Sequence, residues 1–348
     1  MGKSKTIVGL DIGSHSVKAV VLEPVKSGLV LKNIGMAQLP PEAIVEGAIQ
    51  EQEIVVTAIK NLLKYLKVGI KNVCTSISGY SVIIKKINLP TATREELSES
   101  IEVEAEQFIP FDISEVNVDF QIVGQSETDD EQMEVILVAA KKDVIDVYIK
   151  LLMDAGLKPT IIDVDVFALE NAFTHSHPDV EGTVALVDIG ANKMNINVIK
   201  DGLSLLTKDA ALGGARVTGE IQDRFDVDYK TAEDIKVGAK EAPDEEGVRQ
   251  VVSRAVENWV AEAKRTVDYL EASYPGEHLK EIYLSGGSSH IKGLVEYFQQ
   301  ELKVPVKILN PFKKIIVDQK LFDPAYIEYI GPQATICLGL ALRRGEEL

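Results

Sequence analysis

The sequence predicts a duplicated α/β fold of two domains, with an α+β subdomain inserted in the first half. Three observations support this prediction. The tripeptide Asp-Ile-Gly occurs at residues 11–13 and again at 188–190, each time after a strand-like apolar run. In both halves the same order of strand, hairpin, strand and helix follows. The block at 82–158 has no counterpart in the second half. Because the strands on both sides of the tripeptide also match, the repeat indicates internal duplication.

The first half begins with three predicted strands. Apolar runs at 6–10, 16–22 and 29–39 form them, with a turn at Gly28 before the third. A helix is predicted at 53–66, because Val55, Ile59 and Leu62 recur at helical spacing. A further strand is predicted at 73–78.

The inserted block alternates strands and helices. It begins with a strand at 82–89 that ends at Pro90, and continues with strands at 116–123 and 133–139 around a polar loop at 126–132. Thr93 and Glu96 have the spacing of a capping box at the start of its first helix. A second helix is predicted at 144–155.

The second half repeats the opening pattern. Strands are predicted at 184–187, 194–199 and 203–208, the last two joined by the hairpin signal Asp201-Gly202. Helices are predicted at 216–225, 229–237 and 245–273. We expect the buried stripe of the longest helix to contain Val248, Val252, Ala255, Trp259 and Val267. A strand at 282–284, a helix ending at 302, a strand at 304–308 and a final helix beginning at Pro332 complete the chain.

Composition excludes several classes of protein. The chain has 37 Lys and Arg against 54 Asp and Glu, a net charge of -17 at pH 7. Because phosphate-backbone binding needs clustered basic residues, nucleic acid is not the expected main partner. Two cysteines, Cys74 and Cys337, are too few for a disulfide scaffold, and we expect both side chains to be buried. The protein is therefore expected in a reducing compartment.

The sequence predicts no membrane segment of its own. A membrane-spanning helix needs about 20 apolar residues, and the apolar start at 7–10 meets Asp11 at once, unlike a signal peptide. The polar tail at 343–348 argues against an amphipathic anchor. We therefore expect a cytoplasmic protein that reaches a membrane only through partners.

The two Asp-Ile-Gly loops are candidate phosphate-binding loops. The first comprises Asp11, Gly13, Ser14, His15, Ser16 and Lys18, and the second comprises Asp188, Gly190, Ala191 and Asn192. Glycine at such a turn lets backbone N–H groups converge on an anion. If the loops face each other, they would clamp a polyphosphate, and Asp11 and Asp188 would hold Mg²⁺ through its waters. The alternative for either loop alone is a simple tight turn.

A third glycine-rich loop follows the strand at 282–284. Gly286, Gly287 and Ser288 form it, and paired glycines allow close approach by a flat ligand such as adenine. The chain contains neither the P-loop pattern nor the G-x-G-x-x-G pattern.

Together, residues 11–18, 188–197 and 284–293 resemble the phosphate-1, phosphate-2 and adenosine motifs of the actin/Hsp70/sugar-kinase superfamily. Residues 164–172 and 331–342 stand where that superfamily has its two connecting helices. The resemblance implies an actin-like (ribonuclease H-like) fold. It also implies that Glu233 and Lys236 contact ribose and adenine, and that Gly213 and Gly214 lie beside the ribose. The position of the insertion resembles the cell-division protein FtsA.

Five further segments resemble the PilM family of type IV pilus assembly. They are LPPEAIV at 39–45, SVIIKKI at 81–87, EAEQFIPFD at 104–112, VAAKKD at 138–143 and LNPF at 309–312. The resemblance implies ATP or ADP with Mg²⁺ in the interdomain cleft. It implies that the cytoplasmic N-terminal peptide of PilN binds beside the inserted subdomain. Through PilN it implies a link to PilO/PilP at the inner membrane, and to the platform protein and the assembly and retraction motors. Formation of a homo-oligomer stays open.

The resemblance also sets the expected domain boundaries. The first actin-like domain is expected at 1–81 with 159–183 and 332–348. The FtsA-like subdomain is expected at 82–158, and the second actin-like domain at 184–331.

Hydrolysis is expected to be weak or absent. The second loop reads Ala191-Asn192-Lys193 where strong ATPases of the superfamily have Gly-Gly-Thr. Because phosphoryl transfer depends mainly on positioning, this change should affect hydrolysis more than binding. Lys193 would add attraction for phosphate, and His15 would either donate to a phosphate or face water.

The candidate for orienting water is Asp165, with Asp163 as its competitor. The alternative is that both are carboxylates favoured by a helix N-terminus.

The favoured function is therefore a nucleotide-binding adaptor. The alternatives are a sugar-kinase-like phosphotransferase and an FtsA-like filament-forming protein. For the partner, the strand at 82–89 is a candidate edge for strand addition, and the alternative is an internal strand.

Overall fold

The computed structural model describes residues 6–45, 47–126 and 129–343. The polar tail from residue 344, two residues of the predicted 126–132 loop and the first five residues of the predicted first domain lie outside the described residues.

The strands, in chain order, are β1 (Val8–Ile12), β2 (Ser16–Val25), β3 (Gly28–Gln38), β4 (Ile44–Val45), β5 (Ala48–Ile49), β6 (Asn72–Ile77), β7 (Val82–Pro90), β8 (Val116–Gln125), β9 (Gln132–Lys141), β10 (Lys158–Val164), β11 (Thr183–Ile189), β12 (Met194–Lys200), β13 (Leu203–Ala210), β14 (Glu281–Ser285), β15 (Val306–Ile308) and β16 (Ile315–Ile316).

The helices are α1 (Gln52–Tyr65), α2 (Arg94–Ala105), α3 (Lys142–Asp154), α4 (Asp165–Ser176), α5 (Gly214–Phe225), α6 (Tyr229–Lys236), α7 (Glu245–Ser273), α8 (Leu294–Leu302), α9 (Pro324–Ile330) and α10 (Thr335–Leu342). Short 3-10 helices lie at Ile113–Glu115, Gly287–His290 and Pro332–Ala334. Pro332 thus opens a 3-10 turn before the final helix, rather than the helix itself.

Two mixed sheets have the same construction. The order of the first is β10-β6-β1-β2-β3-β16, and that of the second is β13-β12-β11-β14-β15. In each, the strand that leads to Asp-Ile-Gly pairs antiparallel with the next strand and parallel with a later one. Asp11 lies opposite Lys18 in the first ladder, and Asp188 lies opposite Asn195 in the second. The predicted duplicated α/β fold is confirmed.

The molecule has three parts. The first lobe is the six-stranded sheet with α1, α3 and α10, and the second lobe is the five-stranded sheet with α5 to α8. The insert is the three-stranded sheet β7-β9-β8 with α2. Helix α2 covers one face of that sheet with Leu97, Ile101 and Ala105. The capping box is confirmed: Thr93 N donates to Glu96 Oε2 at 2.8 Å, and Glu96 N donates to Thr93 Oγ1 at 3.2 Å.

The long helix α7 has exactly the predicted bounds but only part of the predicted buried stripe. Trp259 is buried, whereas the other four predicted residues are only partly buried at the margin of the same core. The buried positions are Gly247, Val251, Val256, Trp259, Val260, Ala263, Thr266 and Leu270. The predicted residues 248, 252, 255 and 259 lie within about 60° of one another around the helix, so the spacing identified a shared face but not how deeply each residue is covered.

Helices α4 and α10 lie between the two sheets. Ala168, Leu169 and Phe173 of α4 share one core with Ile336 and Leu340 of α10. This core also contains residues of both sheets, including β11 and β14 of the second lobe. The two connecting helices implied by the resemblance are therefore present between the lobes.

Two segments pack away from the units to which the predicted boundaries assign them. Tyr148, Leu151 and Leu152 of α3 pack against the first sheet and α1, although the boundaries place this helix in the insert. Phe312 and Ile330 pack against the first sheet, and β16 pairs with β3. The sequence predicts the helix at 144–155, but it does not specify which sheet that helix or the residues after 310 cover.

None of the helices among the described residues is long and apolar enough to cross a membrane.

Candidate functional site

The first Asp-Ile-Gly loop is a tight hairpin between β1 and β2. Gly13 N donates to Ser16 O at 3.1 Å. Lys18 Nζ lies 2.9 Å from Asp11 Oδ2, and both side chains are largely buried. Burial alone would lower the pKa of Lys18, but the adjacent Asp11 carboxylate outweighs it and raises the pKa above its ordinary value. Lys18 therefore keeps its charge beside the loop.

The second loop repeats this hairpin between β11 and β12. Gly190 N donates to Lys193 O at 2.9 Å, and Ser285 Oγ donates to Asp188 Oδ2 at 2.7 Å. Burial raises the pKa of Asp188 to about 6, and the charge of Asp11 adds to the effect, while the bond from Ser285 opposes it. The two carboxylates thus lie close enough to repel each other, as two residues that share a cation would.

Asp11 and Asp188 offer carboxylate oxygens, the kind of ligand that Mg²⁺ prefers, and Mg²⁺ retains several waters in most protein sites. In the ranges that the structure describes, no three or more His, Cys, Asp or Glu side chains are grouped to hold a metal directly. The water-mediated role of these two carboxylates stays a prediction.

The predicted glycines join the loops of the cleft. A Cβ on Gly213 would lie 2.2 Å from Ala191 O, and one on Gly286, where φ is 84°, would lie 2.4 Å from Ile189 O. These two glycines therefore let the loops at 213–214 and 286–288 pack closely on the second Asp-Ile-Gly loop. Gly287 is less crowded, because a Cβ there would make only an ordinary van der Waals contact, 3.8 Å from Gln333 Oε1. Ser288 Oγ donates to Gly190 O at 3.3 Å.

Glu233 and Lys236 are paired on α6. Lys236 Nζ lies 2.7 Å from Glu233, and Thr218 Oγ1 donates to Glu233 Oε2 at 2.6 Å. Burial would raise the pKa of Glu233, but Lys236 and Thr218 outweigh it and lower the pKa. Burial lowers the pKa of Lys236, and Glu233 only partly opposes this. Beside them, a Cβ on Gly214 would lie 2.4 Å from Ser288 Oγ, so this corner has room for no added methyl group.

His15 adopts an arrangement that neither sequence alternative described. Its Nδ1 lies 3.1 Å from the hydroxyl of Tyr229, at the start of α6 in the second lobe. Burial lowers the pKa of His15, and Glu233 partly opposes this. His15 is therefore largely neutral near pH 7 and bridges the two lobes.

Asp165 lies at the first position of α4, where it faces the cleft. It accepts a hydrogen bond from Ser76 Oγ at 2.5 Å and an ion pair from Lys193. Burial would raise the pKa of Asp165, but Lys193 and the hydroxyl donors outweigh it and lower the pKa. Its competitor Asp163 instead pairs with Arg343 at 3.2 Å, on the side of the first sheet that α10 covers.

Lys193 does not point freely toward a phosphate site as the sequence suggested. Its ammonium group donates to Asp165 and to Ser78 Oγ, which directly follow the strands β10 and β6 of the first sheet. The residue is therefore a contact between the lobes.

Sequence reasoning missed three residues of the cleft. Ser285 contacts Asp188, Thr218 contacts Glu233, and Tyr229 contacts His15. A signal existed for Ser285, because it ends β14 beside the strand that carries Asp188. No local signal exists for Tyr229, because its partner lies 214 residues away.

A separate cavity of about 480 Å³ lies where the strands β11 and β14 begin, at the end of the second sheet away from the Asp loops. It is lined by His177, Val180, Glu181, Val184, Lys280, Glu281, Tyr283, Lys307, Ile308 and Lys313. All of the predicted site residues lie elsewhere, so this cavity is not the predicted cleft.

The duplicated sheets, the two interlobe helices and the paired Asp loops define an α/β protein of the actin-like class. The chain is 24% identical over 358 residues to the cell division protein FtsA of Enterococcus hirae, covering 89% of this chain and 79% of the relative. It is 25% identical to FtsA of Escherichia coli (strain K12), covering 94% and 89%. Among solved structures, it is similar to the ethanolamine utilization protein EutJ of Carboxydothermus hydrogenoformans, with a TM-score of 0.59, 16% identity and 97% and 89% coverage.

A more specific similarity is to the PilM-PilN type IV pilus biogenesis complex. The TM-score is 0.87, with 26% identity and 98% of each chain covered. The family model of the type IV pilus assembly protein PilM matches residues 9–345. The chain belongs to the PilM family of type IV pilus assembly proteins.

Proposed function

We propose that this protein is a nucleotide-binding adaptor of type IV pilus assembly. The observation that carries the proposal is the pair of facing Asp loops, Asp11 and Asp188, in a chain that belongs to the PilM family. In this role the protein binds ATP or ADP between its lobes and the N-terminal peptide of a PilN-type partner on its first half.

The nucleotide would lie between the two phosphate loops. Backbone N–H groups of the two hairpins would contact the phosphates, and Asp11 and Asp188 would hold Mg²⁺ through its waters. Gly214, Glu233 and Lys236 would line the ribose side, and the loop at 286–288 would contact the base. When bound, Mg²⁺ would supply charge neutralisation for the phosphates.

Hydrolysis would be slow compared with binding. The second loop offers Ala191 and Asn192 and therefore no hydroxyl near a terminal phosphate. Asp165, the one carboxylate proposed to orient water, is held by Lys193. A group already engaged in an ion pair is poorly placed to act as a base.

The partner peptide would add to the edge of the insert. Among the described residues, β7 pairs with β9 alone, so its other edge has backbone groups available for an extended peptide. The similar solved structure is a PilM-PilN complex, which supports a PilN-type peptide as the ligand. Through this partner the protein would join the PilO/PilP complex and the assembly motors, and would lie in the cytoplasm at the inner membrane.

The test is calorimetry of ATP binding with Mg²⁺, with and without a peptide copying the cytoplasmic start of the partner. We expect ATP to bind, and the peptide to shift its affinity. Gly214→Ala should weaken ATP binding at least tenfold, because its methyl group would displace Ser288 and Lys236. Gly219→Ala, on the same helix with open space around it, is the matched control and should bind ATP normally.

Hydrogen exchange with the peptide bound locates the partner site. We expect protection of β7, with β8, the other edge strand of the same sheet, as the internal control. Absence of ATP binding to the unmodified protein would overturn the nucleotide part. Turnover typical of a committed ATPase and lost in Asp11→Ala would overturn the adaptor in favour of an enzyme. Pelleting with ATP would favour the filament-forming alternative.

A further inference from the structure

Lys193 connects the second phosphate loop to the first lobe. Its ammonium group contacts Asp165 at the start of α4 and Ser78 after β6. The side chain of Asp165 is 8% exposed, so the carboxylate lies in the interior between the lobes. Burial would lower the pKa of Lys193, but Asp165 outweighs it and raises the pKa. Both groups are therefore charged, and the buried Asp165 carboxylate depends for its compensation on Lys193, whose own side chain is 37% exposed.

A second contact crosses the cleft beside this ion pair. Gly79 N, next to Ser78, donates to Asp209 Oδ2 of β13 at 2.9 Å. The following residue, Tyr80, is 88% exposed. The loop that carries Ser78 and Gly79 therefore contacts the second lobe through its backbone, while its next side chain extends into solvent. Both contacts therefore attach the loop at 78–79 to the second lobe, one through Lys193 and the other through Asp209 of β13.

The closed arrangement leaves one amide without compensation. Asn195 lies between Asp188 and Asp209 in the ladder and has no exposed surface. Neither its Nδ2 nor its Oδ1 has a hydrogen-bond partner among the described residues. A buried amide without partners costs free energy that access to water would recover. Asn195 therefore stands where Lys18 stands in the first ladder, but it carries no charge to compensate the carboxylates on either side of it.

We propose that Lys193, Asp165 and Ser78 form a latch that holds the two lobes closed, and that release of Lys193 opens the cleft for nucleotide exchange. The exchange part rests on the proposed function, whereas closure of the lobes does not. The latch acts through charge: Asp165 and Asp209 both act on Lys193, and with Lys193 gone these two carboxylates would lose the positive charge that they share. Lys193 is thus a positioning residue that controls access to the site and withholds Asp165 from water.

The test measures the distance between the lobes without nucleotide. Met153→Cys on α3 and Tyr269→Cys on α7 provide two exposed labelling positions, while the two natural cysteines are buried. Lys193→Met should lengthen and broaden the distance distribution from pulsed electron spin resonance. Lys307→Met removes an ion pair of 2.6 Å with Glu281 inside the second lobe and is the matched control, with no expected change.

A second variant and the rate of nucleotide release complete the test. Asp165→Asn should open the lobes as Lys193→Met does, and the double variant should open them no further, because both changes remove one interaction. Asp165→Asn also decides the question if Lys193→Met does not fold. With a fluorescent ATP analogue, Lys193→Met should release nucleotide at least fivefold faster, and Lys307→Met at the unmodified rate.

The outcomes separate the two proposals. Unchanged lobe distances in both single variants would overturn the latch, whatever the nucleotide does. Open lobes in a protein that binds no ATP would support the latch and overturn the proposed nucleotide function. Open lobes with an unchanged release rate would overturn the role of the latch in exchange.

Discussion

At the scale of single residues, the carboxylates of the cleft differ in the positive charge that lies beside each of them. Asp11 has Lys18 beside it, and Asp165 has Lys193. Asp188 accepts a hydrogen bond from Ser285 but faces Asn195 in its own ladder, at the position that Lys18 occupies in the first, so the charge of Lys18 acts on it only from the other loop. The duplication therefore produced two loops of the same shape but of different electrostatics. Asp188 is the carboxylate on which a cation would have the larger effect.

Asp188→Asn should stabilise the protein at pH 8. The pKa of Asp188 is raised from 3.8 to about 6, so the native state binds the extra proton and stability falls as pH rises through about 4 to 6. Replacing the carboxyl with an amide, which can still accept from Ser285, removes this cost. We expect a gain of about 1–3 kcal/mol in the free energy of unfolding above pH 6.5.

Denaturant unfolding between pH 4 and pH 8 measures this difference. The gain should shrink as the pH falls to 4, because the native carboxyl is then protonated and the unfolded carboxyl, with a pKa of 3.8, is close to half protonated. Asp223→Asn, at an exposed position, is the control and should change little. A gain independent of pH would contradict the role of the buried charge.

The residues of the phosphate loops were predictable because their signal is local. Asp11 and Asp188 each end a strand and precede a glycine turn, which sequence alone identifies. The partner of Lys193 was not predictable, since Asp165 is 28 residues away and the sequence does not specify that α4 begins opposite the second loop. Residue types that favour phosphate binding also favour ion pairs, and only the fold distinguishes the two.

At the scale of elements, the insert depends on one helix. Leu97, Ile101 and Ala105 of α2 cover one face of its small sheet. A three-stranded sheet is stable only when a face is covered. The start of α2 is fixed by Thr93 and Glu96, and the capping hydrogen bonds lower the pKa of the exposed Glu96 carboxyl.

Thr93→Ala should loosen the insert without affecting the lobes. Loss of the capping hydroxyl should cost about 1 kcal/mol of helix stability. Hydrogen exchange of α2 and β8 should become several times faster. Ser98→Ala removes a hydroxyl that bonds to Arg94 O inside the same helix, and it should not speed exchange. Equal acceleration in both variants would contradict a specific role of the cap.

Element type was predictable, but element placement was not. The apolar spacing of α3 predicts a helix with one buried face, and the structure shows that this face meets the first sheet. The same holds for β16, whose two residues contain no information about the strand with which they pair. Periodicity reports which side of an element is buried, whereas the choice of neighbour depends on the whole chain.

At the scale of the whole molecule, α4 and α10 determine how the lobes meet. A Cβ on Gly339 of α10 would lie 1.7 Å from Ala168 O of α4. Helices that approach this closely have no side-chain layer between them. The interlobe core is therefore intolerant of even one added carbon atom, although the residues involved touch no predicted ligand.

Gly339→Ala should destabilise the protein by about 3 kcal/mol, because its methyl group must push α4 and α10 apart. Gly219→Ala, in open space on α5, should be neutral or stabilising by up to about 1 kcal/mol. Equilibrium unfolding in urea measures both changes. Equal stability of the two variants would show that the close approach of α4 and α10 is not maintained in solution.

The same helix also meets β1 without an intervening side chain. A Cβ on Gly9 would lie 2.3 Å from Cys337 O. Gly9 lies two residues before Asp11 on β1, and Ala168 follows Asp165 by one turn of α4. Helix α10 is thus a spacer with glycine contacts on both sides, and its thickness sets the separation of the two carboxylates Asp11 and Asp165. Gly9 and Gly339 do not line the cleft, but they fix the distance across it. A single methyl group at either residue would shift one carboxylate relative to the other without altering any charge.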